Sequence, residues 1–176
     1  MTVKELLDRK GGYTFYDLVG IMKILRGEGG CPWDREQTHM SIRKNLIEET
    51  YEVVEAIDND DPVLMCEELG DLILQAVFHA QMSAEEGFDI NDVCNGICEK
   101  LIVRHPHIFS DVVADTSDEV LKNWDAIKQQ TKHQKTVTEK LNAIPPSLPA
   151  LMRACKAGEK AAKVGFDWDN VKDALD

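Results

Sequence analysis

The chain has 176 residues, 43% apolar content and a net charge of −12, so it is long enough for one domain with a sizeable core, or one domain plus a fragment of another. So many acids disfavour duplex DNA or an anionic membrane as partner, because both would repel the chain, although a small phosphate ligand with a bound cation stays compatible. Five cysteines, an odd number with no CxxC pair, fit reduced thiols in a cytoplasmic protein better than a disulfide framework.

The pattern is helical nearly throughout. From Thr14 to Arg26, Phe15, Leu18, Val19, Met22 and Leu25 recur at a helical period. Gly27 to Pro32 (GEGGCP) breaks the period and predicts a loop. A second helix is expected from Ser41 to about Asp58, ended by NDD at 59–61. Asp61 is placed to cap the third helix, with Pro62 at its first position, and that helix is expected to reach about Glu86. A fourth runs from Asn91 to about Arg104, where Pro106 stops it, and Cys94 and Cys98 on one face of it read as small core residues. The fifth, capped by Ser117, is expected to reach Lys132. KHQKTVTEK then reads as a polar linker, NAIPPSLPA as a Pro-rich connector, and Leu148 to Val164 as a last helix. No strand run is long enough to compete, so the fold class is all-α. The ending, Asp173 to Asp176, reads as a helix cut short, as in half of a longer architecture.

The second and third helices carry the most pointed pattern. On the second, Leu46, Ile47, Thr50, Val53, Val54 and Ile57 form the apolar stripe, with Glu49 and Glu52 on one flank. Glu48 and Glu55 lie further toward solvent. On the third, Met65, Leu69, Leu72, Ile73, Ala76 and Ala80 form the stripe, and Glu68, Asp71, Gln75 and His79 continue one line beside it. A short connector favours antiparallel neighbours, which brings the two acid pairs face to face. Four converging carboxylates must bind a cation or take up protons, and oxygen donors without a Cys or His cluster suit Mg²⁺ or Mn²⁺. The competing reading is a solvated acidic flank, since Glu is a good helix former. The pattern alone leaves both open.

EETYE (48–52) followed by ELGD (68–71) resembles the EExxE…ExxD signature of the MazG-type nucleoside triphosphate pyrophosphohydrolases. GGCPWDREQTH (29–39), FHAQMSAEEGFD (78–89), EKLIVRHPHIF (99–109) and KAAKVGFDW (160–168) resemble further family segments in the same order. The resemblance implies a helical bundle of the all-α NTP pyrophosphatase type, assembling as a homodimer or higher homo-oligomer. It implies Mg²⁺-dependent hydrolysis of NTP or dNTP to the monophosphate and pyrophosphate, with Mn²⁺ as a substitute. Glu49, Glu52, Glu68 and Asp71 are implied as metal ligands, and Glu48, Glu49 and Glu52 as the catalytic acids, Glu48 assisting the water or standing behind the ligands. One departure is Val103-Arg104, where many relatives carry two basic residues before HPH. The alternative function is a dimerising scaffold or regulatory unit with weak or no activity.

Three further residues are substrate candidates. Trp33 could stack on a nucleobase or close the core, and Lys100 and Arg104, four apart, could hold phosphates or form salt bridges. His105 and His107 read as helix-end packing, and His39 and His79 as isolated structural histidines. The expected domains are a pyrophosphohydrolase domain over 1–135, a connector over 136–150 and the start of a second, incomplete MazG-like unit over 151–176.

Overall fold

The computed structural model describes residues 1–84, 86–131, 136–168, 170, 172 and 173. Among these every regular element is helical, and no helix is long and apolar enough to cross a membrane. The chain divides into two compact units, Met1–Glu99 and Lys100–Asp176.

The first unit opens with α1 (Val3–Leu7) and α2 (Phe15–Arg26). A capping box starts α2: the buried Asp17 accepts from the Thr14 backbone N–H and hydroxyl at 2.7 and 2.6 Å and pairs with Arg9. Where a plain loop is expected, Pro32 starts a short helix, α3 (Pro32–Glu36). Next come α4 (Arg43–Asp58) and α5 (Pro62–Ser83), joined by Asn59, Asp60 and Asp61. Asp61 caps α5 as expected, accepting from the backbone N–H groups of Val63 and Leu64 at 2.9 and 3.0 Å. Asp60 turns the chain in the left-handed region with φ 51°. With so short a link and α4 packed on α5, the second helix runs back along the first. α5 ends at Ser83 rather than Glu86, and Asp89 starts α6 (Ile90–Arg104) by accepting from the N–H groups of Asn91 and Asp92.

Met22, Ile42, Val77 and Phe78 form the core of this unit, with Leu18, Val19, Leu25, Leu74, Met82 and Ile90 around them. Much of the expected α4 and α5 stripe is outside it. Leu46, Ile47, Val54, Ile57, Leu69 and Ile73 are exposed, because the unit's own core covers only the side of each helix that carries residues such as Ala56 and Ala80. Cys94 and Cys98 are exposed as well, a correction to their reading as core residues, since among the described residues no element buries them.

The second unit contains α7 (Pro106–Phe109), α8 (Ser117–Thr131), α9 (Val137–Asn142) and α10 (Ala150–Ala162). Ser117 is the first helical residue of α8, so the cap falls one residue earlier: the Thr116 hydroxyl accepts from the Glu119 N–H at 3.3 Å. The stretch expected as a polar linker and connector holds α9, started by a Thr136–Glu139 capping box. The expected fifth-helix end at Lys132 and the ending at 174–176 lie outside the described residues.

Candidate metal and nucleotide site

Three of the four flank acids meet. One carboxylate oxygen each from Glu49 on α4 and from Glu68 and Asp71 on α5 lies within 4.8 Å of the others. Glu52, one turn along α4, adds its charge to Glu49 and Glu68, so it adjoins the cluster without offering a fourth oxygen inside that radius. Helix geometry explains the arrangement: residues three apart share a face, and the antiparallel return of α5 sets the two faces opposite each other.

The electrostatics are those of crowded like charges. Burial pushes the Glu49 carboxyl above its ordinary value, helped by the bond its protonated form can make to Glu52 and by the charges of Asp71, Glu52 and Glu68. Burial likewise raises Glu68, which is only 9% exposed, followed by the charges of Glu52, Glu67, Asp71 and Glu55. Among the described residues no lysine or arginine forms an ion pair with any of these acids. Two acids held toward their protonated forms, with only oxygen donors around them, are a chemical fit for a hard divalent cation, which would restore the ionised state.

The other candidates sit elsewhere. Glu48 is exposed and outside the cluster. Trp33 on α3 is 60% exposed, so it closes no core in the protomer, and its carbonyl accepts from Gln37 Nε2 at 2.9 Å. Lys100 and Arg104 belong to the second unit, where the Arg104 guanidinium lies 5.3 Å from the centroid of the Trp124 ring. His105 also meets Trp124 edge-on, and its Nδ1 lies 2.7 Å from the Leu101 carbonyl oxygen at the end of α6, in keeping with helix-end packing. A groove of about 880 Å³ near α9 and α10, lined by Leu141, Phe166 and Trp168 among others, contains none of the cluster acids.

Two residues read as isolated are not. His39 and His79 join through their Nδ1 atoms at 2.7 Å. Their 40-residue separation leaves no local pattern to reveal the pair. On the same line of α5, Gln75 is 8% exposed, and its Oε1 and His79 Nε2 are both buried without a hydrogen-bond partner.

Comparison with known proteins follows the same residues. Residues 37–109 match the model of the MazG nucleotide pyrophosphohydrolase domain, a span that includes every acid of the cluster. The chain is 50% identical over 161 residues to a nucleoside triphosphate pyrophosphohydrolase of Escherichia coli (strain K12), covering 90% of this chain and 61% of that protein. It is 47% identical over 161 residues to the Thermotoga maritima protein named nucleoside triphosphate pyrophosphohydrolase/pyrophosphatase MazG, covering 91% and 61%. The chain thus spans about three fifths of the length of these curated relatives. The crystal structure of a mazG-related protein from Thermotoga maritima superimposes with a TM-score of 0.54 at 28% identity, over 65% of this chain and 98% of that one. The helical fold, the acid-bearing helix pair and these matches agree: residues 37–109 are similar to a MazG nucleotide pyrophosphohydrolase domain.

Proposed function

We propose that this chain hydrolyses nucleoside triphosphates to the monophosphate and pyrophosphate, with Mg²⁺, or Mn²⁺ in its place, held by Glu49, Glu52, Glu68 and Asp71. The observation that carries this reading is the meeting of Glu49, Glu68 and Asp71 within 4.8 Å with no basic partner among the described residues. When bound, the cation neutralises phosphate oxygens and makes water more acidic. The protein's part is positioning and charge, which is most of what phosphoryl-type transfer requires. Glu49 and Glu68, held toward their protonated forms, would be ionised on binding the cation and serve as its ligands. Glu52 lies beside Glu49 and adds its negative charge to the site. Glu48, exposed at the start of the signature, is assigned to orienting water from solvent. Trp33 is assigned to the base, and Lys100 and Arg104 to phosphate oxygens.

The exposed apolar residues of α4, α5 and α6, among them Ile57, Ile73 and Ile97, support assembly as a homodimer or higher homo-oligomer, since exposed apolar surface marks interaction sites when it gathers into patches. We place the catalytic domain over 1–135, a connector over 136–150 and a second MazG-like segment over 151–176. The test of the activity is pyrophosphate release from a mixture of NTPs with Mg²⁺. A Glu49→Ala, Glu68→Ala double variant is expected to lose at least about a hundredfold, because several kcal/mol of charge stabilisation goes with the ligands. Release no greater from wild type than from the variant would leave the scaffold reading in its place.

A further inference from the structure

His39 follows α3, the helix that carries Trp33, and His79 lies on α5 two turns beyond Asp71. Their ring planes are 3° from parallel and their centroids 5.0 Å apart, while Nδ1 meets Nδ1 at 2.7 Å. The nitrogens are closer than the centroids by about two ring radii, so the rings meet edge to edge, in an N–H···N bond rather than a face-to-face stack. The Ser83 hydroxyl has one hydrogen, and at 3.1 Å it donates to the His79 carbonyl oxygen. Its oxygen then accepts from His39 Nε2–H at 3.3 Å. The hydrogen-bond network therefore makes His39 Nδ1 the acceptor and His79 Nδ1–H the donor. In that tautomer His79 Nε2 is an unprotonated acceptor, the buried nitrogen that has no hydrogen-bond partner.

We infer that His39 and His79 are positioning residues: their N–H···N bond latches the Trp33 segment to the helix that carries Glu68 and Asp71, and protonation of both rings opens it. The nucleotide part of this inference rests on the proposed function. The segment moves as one piece because it is bonded internally. Gln37 holds the Trp33 carbonyl, Ser41 Oγ donates to Gln37 Oε1 at 2.7 Å, and Thr38 and Ser41 bond reciprocally. The latch needs one acceptor nitrogen between the rings. It holds in the neutral pair and with one added proton, but two imidazolium ions present only donors and repel.

Among the described residues few groups face the pair. Ser83 comes from α5, and Glu86, beyond its end, places a carboxylate oxygen 4.0 Å from His39 Nε2. From α2, Arg26 lies over the ring of Phe78, beside His79, and bonds to the carbonyls of Asp34 and Gln37. Burial, and then the neighbouring His39, push His79 below its ordinary value, so opening belongs to acid conditions.

The test uses the full chain, with His39→Phe/His79→Phe as the variant that cannot titrate and His39→Gln as a milder one that keeps a partner for His79. Amide exchange of residues 32–42 is compared at about pH 7.5 and about pH 5, either side of the ordinary histidine value, after correction for intrinsic exchange. ATP and CTP affinities with Mg²⁺ are measured under the same conditions. In wild type the segment is expected to lose protection in acid, and nucleotide affinity to fall about tenfold more than in either variant, a size ordinary for coupled sites. Protection that does not change in wild type, or an equal loss of affinity in all three proteins, would overturn the latch. If no nucleotide binds at either pH, the proposed function and the positioning role fall together, while the exchange result decides the latch alone.

Discussion

At Glu68 and Glu49 the folded protein favours the protonated carboxyl, so both carry a cost once they ionise. Their folded values lie above the ordinary one, and the stability they contribute is therefore full below the ordinary carboxylate value and is lost as pH rises through the raised values. In chelator, Glu68→Gln is expected to melt higher than wild type near neutral pH, and the difference should vanish in acid. Adding Mg²⁺ should raise the melting temperature of wild type more than that of Glu68→Gln, since only a ligand for the native state stabilises it. Differential scanning calorimetry across pH, with and without Mg²⁺, reads both effects. His79 has the opposite sign: its value is lowered, so its contribution is present above the ordinary histidine value and lost as pH falls through the lowered one. The acid pairs were legible in the sequence because i, i+3 spacing and a three-residue connector determine which faces meet. The His39–His79 bond was not, because nothing local links residues 40 apart.

The α4–turn–α5 hairpin holds the acids in register, and its turn is the element most open to test. Asp61→Ala removes the side-chain acceptor for two N–H groups at the start of α5 and should cost about 1 kcal/mol in urea unfolding. Asp60→Gly relieves a left-handed backbone at φ 51° and should stabilise by about 0.5–1 kcal/mol in the same experiment. A cap loss that also weakens Mg²⁺ binding would show that the turn positions Glu68 and Asp71, as well as stabilising the helix. Periodicity revealed the long helices α2, α4, α5, α6, α8 and α10. It missed α1, α3, α7 and α9, which have four to six residues each and so complete less than two turns. Their signals were caps and prolines: Thr2 and Thr136 in capping boxes, Pro32 and Pro106 at first helical positions.

For the whole molecule, the main departure from expectation is the exposure of Ile47, Ile57 and Ile73 on the apolar stripes of α4 and α5, and Ile97 on α6 is exposed as well. Periodicity tells which side of a helix is apolar, but not whether the covering surface comes from the same chain. Light scattering is expected to give a dimer or larger for wild type. Ile97→Glu should shift that equilibrium toward monomer, by placing a charge on an apolar contact face. A monomeric wild type at working concentrations would remove the oligomer from the account. The central claim is that the α4–α5 acid seam holds the catalytic cation, and diffraction from crystals soaked in Mn²⁺ tests it most directly. The account predicts an anomalous peak among the carboxylates of Glu49, Glu68 and Asp71 that disappears in Glu49→Ala/Glu68→Ala crystals. A fully soaked crystal with no peak there, or with its only peak at other residues, would contradict it.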